Sequence, residues 1–372
     1  MNVPSPTAAS TSPEANSNYG QTPIMAYWEV TQSCDLACVH CRAAAVSEPS
    51  PFELTASEGF RLLDALAGFG SQKPHLVLTG GDPLKRKDIY ELVEYAVKAG
   101  LQTSITPSGT PLLTKEALAR LKASGVQTVA LSLDGSSASH HDRIRQVPGS
   151  FERTMAAAHW AKELGLSVQI NSLVCAQTVD DLPDVYQRVL DLDADRWSVF
   201  FLVNIGRGSL LKPVDPWVGE FILEWLYDLT LGSSRPIIKT TEAHHFRRVA
   251  LQRQRVTGTS DGYASIRGGF GVRDGAGILF VSHTGEVYPA GFLPISVGNV
   301  RRDDVVSLYR DAPLFQQLRD PSQLKGKCGT CEYRVVCGGA RSRAWATSGD
   351  AFAEDPLCPY QPRPARAAAV LA

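Results

Sequence analysis

"CDLACVHC" fills residues 34–41, shortly after the apolar and aromatic run "IMAYWEV" at 24–30. Cys34, Cys38 and Cys41 are separated by three residues and then by two. The number is awkward for a closed site, because a structural zinc takes four ligands and a disulfide takes two thiols. Three thiolates can fill three iron sites of a four-iron cubane and leave the fourth iron without a protein ligand, much as catalytic zinc keeps one position open. The competing reading is a zinc site completed by His40. A C-x3-C-x2-C pattern just after a first β-strand favours the open cluster.

Outward from this loop, short β-rich runs alternate with helical ones to about residue 230. The expected strands are 24–30, 75–80, 101–106, 126–134, 166–174 and 196–203. The expected helices lie near 55–68, 88–99, 114–124, 150–164 and 179–192, with another in "PWVGEFILEWLYDL". The first helix opens on "TASE", a capping box in which Thr55 and Glu58 satisfy each other. Such β–α repetition predicts a parallel sheet with helical crossovers, and the nearly continuous apolar strands predict burial on both faces. Periodicity alone leaves a partial barrel and an open doubly wound sheet as alternatives.

Beyond residue 232 the texture changes. The stretch "GSSRPIIKTTEAHHFRRVALQRQRVTGTSDGY" is polar and basic, without clean periodicity. "GAGILFVSHTGEVYPAGFLPISVGNV" reads as a glycine-punctuated hairpin, and "DDVVSLYRDAPLFQQLRD" as one helix. The expected organisation is a tail over 1–23, a β/α domain over 24–232, a linker and smaller module over 233–363, and a tail over 364–372.

The chain has 372 residues, 44% of them hydrophobic, and a net charge of −1, which gives no global reason to expect nucleic acid or an anionic membrane as partner. No apolar run is long enough to span a bilayer. The N-terminal segment lacks the basic start and apolar core of a secretory signal and predicts a disordered tail in a cytoplasmic protein. In that reducing setting, clustered cysteines read as metal ligands. Cys175 stands apart from the clusters and reads as a small packing residue.

The second cluster, Cys328, Cys331, Cys337 and Cys358, has the spacing C-x2-C-x5-C followed by a distant cysteine. Four thiolates make a closed site that zinc and a four-iron cluster both accept.

These motifs together resemble the radical S-adenosylmethionine (radical SAM) enzymes that carry a C-terminal SPASM or twitch extension. "CDLACVHC" is similar to the superfamily's cysteine signature, and "LTGGDPL" (78–84) to its Gly-Gly-Glu-Pro motif, with Asp82 for Glu. "LSLDGSSASHHDRIRQVPGSF" is similar to a segment of the extended subgroup, and the four late cysteines to the extension. The resemblance implies an α/β fold, a partial (β/α)6 TIM-type barrel with a smaller C-terminal α+β module. It implies a radical-initiating 4Fe–4S cluster on Cys34, Cys38 and Cys41, an auxiliary 4Fe–4S cluster on the other four, and S-adenosylmethionine (SAM) as cofactor. Gly80 and Gly81 would let backbone approach the methionine amino group, and Asp82 would add negative charge near it. Ser132 and Arg145 would hold the methionine carboxylate; the alternative for Arg145 is a surface pair with Asp142. Ser108 would lie near the cofactor.

Within that group the last segment resembles enzymes acting on tetrapyrrole side chains, as in heme or heme d1 biosynthesis. A substrate with several carboxylates would suit Arg207, Arg247, Arg248, Arg341 and Arg343. His244 and His245, in a polar linker, could ligate a heme iron or supply protons; the alternative is a structural role. A reductant such as flavodoxin or ferredoxin is implied. Two other functions stay open: a maturase of ribosomally made peptides, and a non-catalytic iron–sulfur carrier or redox sensor, against which "TGGDP" argues.

Overall fold

The structure, a computed structural model, describes residues 17–232, 235–258, 266 and 269–363. The expected tails therefore lie outside it, apart from 17–23. Those residues are docked: Ser17–Gly20 forms a 3-10 turn, and the carbonyls of Tyr19 and Gln21 accept from Tyr309 Oη (2.6 Å) and Arg310 Nε (3.0 Å).

The described strands form one sheet. In chain order they are β1 (Met25–Thr31), β2 (His75–Gly80), β3 (Thr103–Ile105), β4 (Thr128–Ser132), β5 (Ser167–Val174), β6 (Arg196–Phe201), β7 (Ile237–Thr241), β8 (Ile278–Val281) and β9 (Val287–Tyr288). Their order across the sheet is β7-β6-β5-β4-β3-β2-β1-β8-β9. From β1 to β7 each strand lies beside its chain neighbour, and every pair is parallel. A doubly wound sheet reverses its strand order midway through its β–α units, whereas here β1 to β7 run in one direction and only β8 and β9 are added on the other side of β1. Sequential parallel strands make a barrel wall, here left unclosed between the outer edges of β7 and β9.

Among the described residues the helices of the β–α repeat pack on one face. They include α1 (Ala56–Ala67), α2 (Ile89–Lys98), α3 (Lys115–Ala123), α4 (Ala138–Arg145), α5 (Ser150–Glu163), α6 (Leu182–Asp191) and α7 (Pro216–Gly232). The capping box of Thr55 and Glu58 starts α1 as expected. Under this layer Trp28, Leu76, Leu78 and Trp197 are fully buried; Trp197 packs at 5.2 Å from Tyr186 of α6 and 5.9 Å from Trp225 of α7, measured between rings. Because strand side chains alternate, Glu29, Ser132, Asn171, Arg196 and Ser198 face the other, concave side. The continuous apolar reading of the strands thus holds for the helix side and fails inside.

Two expectations beyond residue 232 are corrected. The basic stretch without clean periodicity contains β7 and a helix, α8 (Phe246–Thr257). Periodicity misses α8 because it buries an arginine: Arg248 is 2% exposed and bonded to Glu220. The single helix expected before the late cysteines is two, α9 (Val305–Asp311) and α10 (Pro313–Arg319). Ala312 is extended between them, as a residue before proline prefers. The hairpin appears as β8 and β9, and β8 joins β1 in parallel. The expected boundary at 232 is therefore bridged at both sheet edges. Among the described residues no helix is long and apolar enough to cross a membrane.

Candidate active site

The cysteine loop leaves the C-terminal end of β1, the end where barrel loops carry chemistry. Just before it the register with β2 slips between Glu29 and Thr31, a bulge that turns the chain. Cys34 N donates to Val46 O (2.8 Å) and closes the base of the loop. Val39 N donates to Ile144 O (3.0 Å) at the end of α4, and Arg207 N to Cys41 O (3.0 Å). Cys34 and Cys38 are buried, Cys41 is half-buried, and the three gather around Leu36 as free thiols. Burial pushes the Cys34 and Cys38 thiols above their ordinary range, so the thiolate form needs a positive partner such as iron.

Gly80 and Gly81 are needed by the chain itself. A Cβ on Gly80 would lie 2.4 Å from Thr31 O, and one on Gly81 would lie 2.3 Å from Ser33 O. The glycines let the β2 exit press against the start of the cysteine loop, where Asp82 N donates to Ser33 O (2.7 Å). Asp82 is fully buried. It accepts from Leu84 N (3.2 Å), Ser108 N (3.3 Å) and Thr110 Oγ1 (2.7 Å). Ser108 lies beside the cysteine loop: its Oγ is 3.5 Å from Cys34 Sγ and donates to Gly81 O (2.8 Å).

Arg145, at the end of α4, is buried and pairs with Asp134 rather than Asp142. Asp142 instead accepts from the amides of Gly149 and Phe151. Burial pushes the Asp134 carboxyl up, but Arg145 and then His40 outweigh it and hold it below the usual range. Asp134 sits in the quoted "SLDG" motif and was the signal to follow. His40 turns toward Asp134, with Nε2 3.9 Å from Oδ2. Among the described residues no three His, Cys, Asp or Glu side chains converge closely enough to hold a single metal ion. Ser132, at the end of β4, pairs in register with Asn171 of β5 on the inner face.

A second network was hidden in the sequence. Glu29 of β1 accepts from Arg42 Nη2 (2.5 Å) and lies 2.7 Å from His283 Nδ1, while Arg42 Nη1 donates to Gly291 O (3.3 Å). The cysteine loop is thereby tied to the β8–β9 region. A glutamate inside "YWEV" was the only clue.

Near the other end of the chain Cys328, Cys331, Cys337 and Cys358 line one cavity together with His245, Arg248 and Asp355. Burial pushes the Cys337 thiol up to about 12 and the Cys358 thiol to about 11. Amides of Tyr333, Gly339 and Asp355 each lie 3.4 Å from a cysteine sulfur, on Cys331, Cys337 and Cys328. The two histidines are not in an open polar linker: His244 is 8% exposed and His245 fully buried at the start of α8. Neither ring nitrogen of His245 has a hydrogen-bond partner among the described residues. Burial holds its pKa down to about 4, so the ring is neutral and carries one N–H.

The five arginines expected to meet substrate carboxylates all make bonds within the chain, although Arg207 Nη2 is buried without a hydrogen-bond partner among the described residues. Arg207 donates to the carbonyls of Cys38 and Ala45. Arg247 donates to Val336 O, and Arg248 pairs with Glu220. Arg341 donates to the carbonyls of Ala351 and Ala353, and Arg343 pairs with Asp355.

Comparison with known proteins places this geometry. The Radical SAM superfamily pattern matches residues 28–189. An AdoMet-dependent heme synthase of Methanosarcina barkeri is 39% identical over 344 residues, 91% of this chain and 97% of that protein. One from Nitratidesulfovibrio vulgaris is 40% identical over 341 residues, 90% of this chain and 92% of that protein. In shape the chain is similar to Streptococcus suis SuiB bound to precursor peptide SuiA, with a TM-score of 0.69, 18% identity, and coverage of 91% of this chain and 76% of that one. With the superfamily pattern running through the cysteine loop and relatives matched along nearly their whole length, the chain belongs to the Radical SAM superfamily, as an enzyme that works with a four-iron cluster and S-adenosylmethionine.

Proposed function

We propose that this enzyme modifies the side chains of a tetrapyrrole, decarboxylating or trimming them. The observation that carries the reading is the near full-length similarity to the heme synthases. When bound, the cluster and SAM supply a 5′-deoxyadenosyl radical that removes a substrate hydrogen. Cys34, Cys38 and Cys41 hold three irons. Gly80, Gly81, Ser108, Ser132 and Arg145 shape the place of SAM, and Asp82 acts by holding the Ser108 loop. Because Arg145 is already paired with Asp134, it meets the cofactor as part of a fixed pair.

The four late cysteines hold an auxiliary four-iron cluster. Their cavity suits an anionic iron–sulfur group: amides point at the sulfurs, Arg341 Nη2 lies 3.7 Å from Cys328 Sγ, and the orphaned ring of His245 lacks an acceptor. The electron that starts the reaction comes from a reductant such as flavodoxin or ferredoxin. Converting a propionate to a vinyl group releases carbon dioxide, a hydrogen atom and one further electron, so a one-electron acceptor is also required. The eight free cysteines suit a reducing cytoplasm.

A peptide maturase is the second reading, supported by the fold shared with the peptide-bound SuiB. Anaerobic incubation of the reconstituted enzyme with SAM, dithionite and iron coproporphyrin III, followed by mass spectrometry, separates the two. Loss of carbon dioxide or of side-chain carbon supports the tetrapyrrole reading. An unchanged tetrapyrrole, with modification of a peptide encoded beside the gene, replaces it with the maturase.

A further inference from the structure

Most cations near the inner face have partners. Arg42 has Glu29, Arg145 has Asp134 and Arg343 has Asp355. Arg196 and Lys239 differ: among the described residues no carboxylate lies within ion-pair distance of either, and neither side chain makes a hydrogen bond with another described group.

Both lie on the concave side. Arg196 precedes Trp197, whose ring is under the helices, so alternation along β6 turns Arg196 inward. Ser198 Oγ and Thr241 Oγ1 are 3.3 Å apart, which puts Thr241 and hence Lys239, two residues earlier on β7, on the same side. The strands are adjacent, with Arg196 opposite Ile237 and Ser198 opposite Lys239, so the two cations are diagonal neighbours. His75 of β2 sits at the other side of the wall, its Nε2 2.6 Å from Ser104 Oγ.

The fields of these groups overlap. Lys239 is exposed at the edge strand, yet protein surrounds it enough that burial, and then Arg196, hold its ammonium below the usual range. Burial lowers the His75 pKa too, and both Arg196 and Lys239 add to that effect from across the concavity. Two like charges facing one space without a counter-ion gain from an anion placed between them.

We infer that Arg196 and Lys239 form an anion subsite inside the open barrel that anchors a carboxylate side chain of the substrate. The inference rests on the tetrapyrrole reading and deepens it. The five arginines expected to meet carboxylates make bonds within the chain, whereas this pair makes none among the described residues. A guanidinium beside an ammonium gives one propionate a bidentate contact and a second charge, fixing which side chain is turned away from the cysteine loop and which is presented to it.

The test is tetrapyrrole binding to the anaerobically reconstituted enzyme, followed by absorbance titration. Iron coproporphyrin III is compared with its tetramethyl ester for wild type, Arg196→Ala/Lys239→Ala and Arg196→Lys. Iron content and circular dichroism check that the variants fold and load. The double alanine variant is expected to bind the tetra-acid about ten- to a hundredfold more weakly, as loss of charge-assisted contacts predicts, with little change for the ester. Arg196→Lys is expected to retain most of the affinity. Equal tetra-acid affinity in wild type and the double variant overturns the subsite while leaving the tetrapyrrole reading standing. Equal weakening for acid and ester also overturns it, because the effect is then not on the carboxylates. Absence of tetrapyrrole binding by wild type overturns the proposed function and this inference with it.

Discussion

Arg145 Nη1 lies 3.7 Å from Cys38 Sγ. Its other terminal nitrogen pairs with the buried carboxylate of Asp134, so one guanidinium joins the cysteine loop to the end of β4. Asp134→Ala leaves that guanidinium buried without its counter-charge and is expected to destabilise the chain by roughly 3–5 kcal/mol. Adding Arg145→Ala should recover part of the loss, because the double variant has no orphaned charge. Urea unfolding of the two single variants and the double variant checks this. Strictly additive costs would show that the pair is not coupled.

Glu29 predicts a dependence on acid. Burial alone would raise its carboxyl, but Arg42 and His283 outweigh burial and lower it to about 2 from an ordinary 4.5. A carboxylate with a depressed folded pKa adds stability above its unfolded value and loses it as pH falls toward the folded one. The contribution, on the order of 3 kcal/mol, is thus present above pH 4.5 and lost toward pH 2. The destabilisation caused by Glu29→Gln should be larger at pH 6 than at pH 3, measured by urea midpoints on the cluster-free chain. An equal difference at both pH values would refute the ion pair.

Gly81→Ala places a methyl group 2.3 Å from Ser33 O and 2.6 Å from Gln32 O. Backbone atoms cannot swing aside, so strain of roughly 1–3 kcal/mol falls on the cysteine loop. Iron content should drop from about eight toward about four per chain, the C-terminal cluster being kept. Gly232→Ala, where no described atom lies within 4 Å, is the control and should keep full iron. Full iron in Gly81→Ala would mean the loop accommodates the methyl.

His245 predicts a spectroscopic change. An N–H directed at a cluster sulfur favours the more negative, reduced state. His245→Leu removes it and should move the midpoint of the C-terminal cluster to lower potential, with the N-terminal cluster unmoved. Electron paramagnetic resonance during a redox titration reports each cluster. An unshifted midpoint in a fully loaded variant would make His245 a packing residue only.

The legible parts of this protein were those written in local pattern. Cysteine spacing marked the two groups of cysteines that the fold gathers, and alternation marked six strands within a few residues. Thr55 and Glu58 announced a helix start, and it is there. Periodicity alone did not give the topology, because strand neighbours are a long-range matter and a period of two is the same in a barrel wall and a doubly wound sheet; the resemblance carried by the cysteine and Gly-Gly-Asp-Pro motifs gave the partial barrel. The arginines misled for a related reason. Charge in a sequence does not say whether a partner waits in the fold: Arg207 looked available and holds the carbonyls of Cys38 and Ala45. Arg196 looked like an ordinary strand start and has no partner among the described residues. Asp134 was quoted within a motif, yet its weight became visible only with Arg145 beside it.

β1 carries the cysteine loop and has β2 on one side and β8 on the other. A cut near residue 232 would strip β7 from β6 and β8 from β1, leaving two rows of unpaired backbone donors and acceptors on the remaining fragment. Such edges recruit other strands, so the fragment would aggregate rather than behave as a smaller enzyme. The C-terminal portion is accordingly no cassette for exchange among relatives. A working chimera must carry over the whole wall, with Glu29, Arg42 and His283 drawn from the same parent.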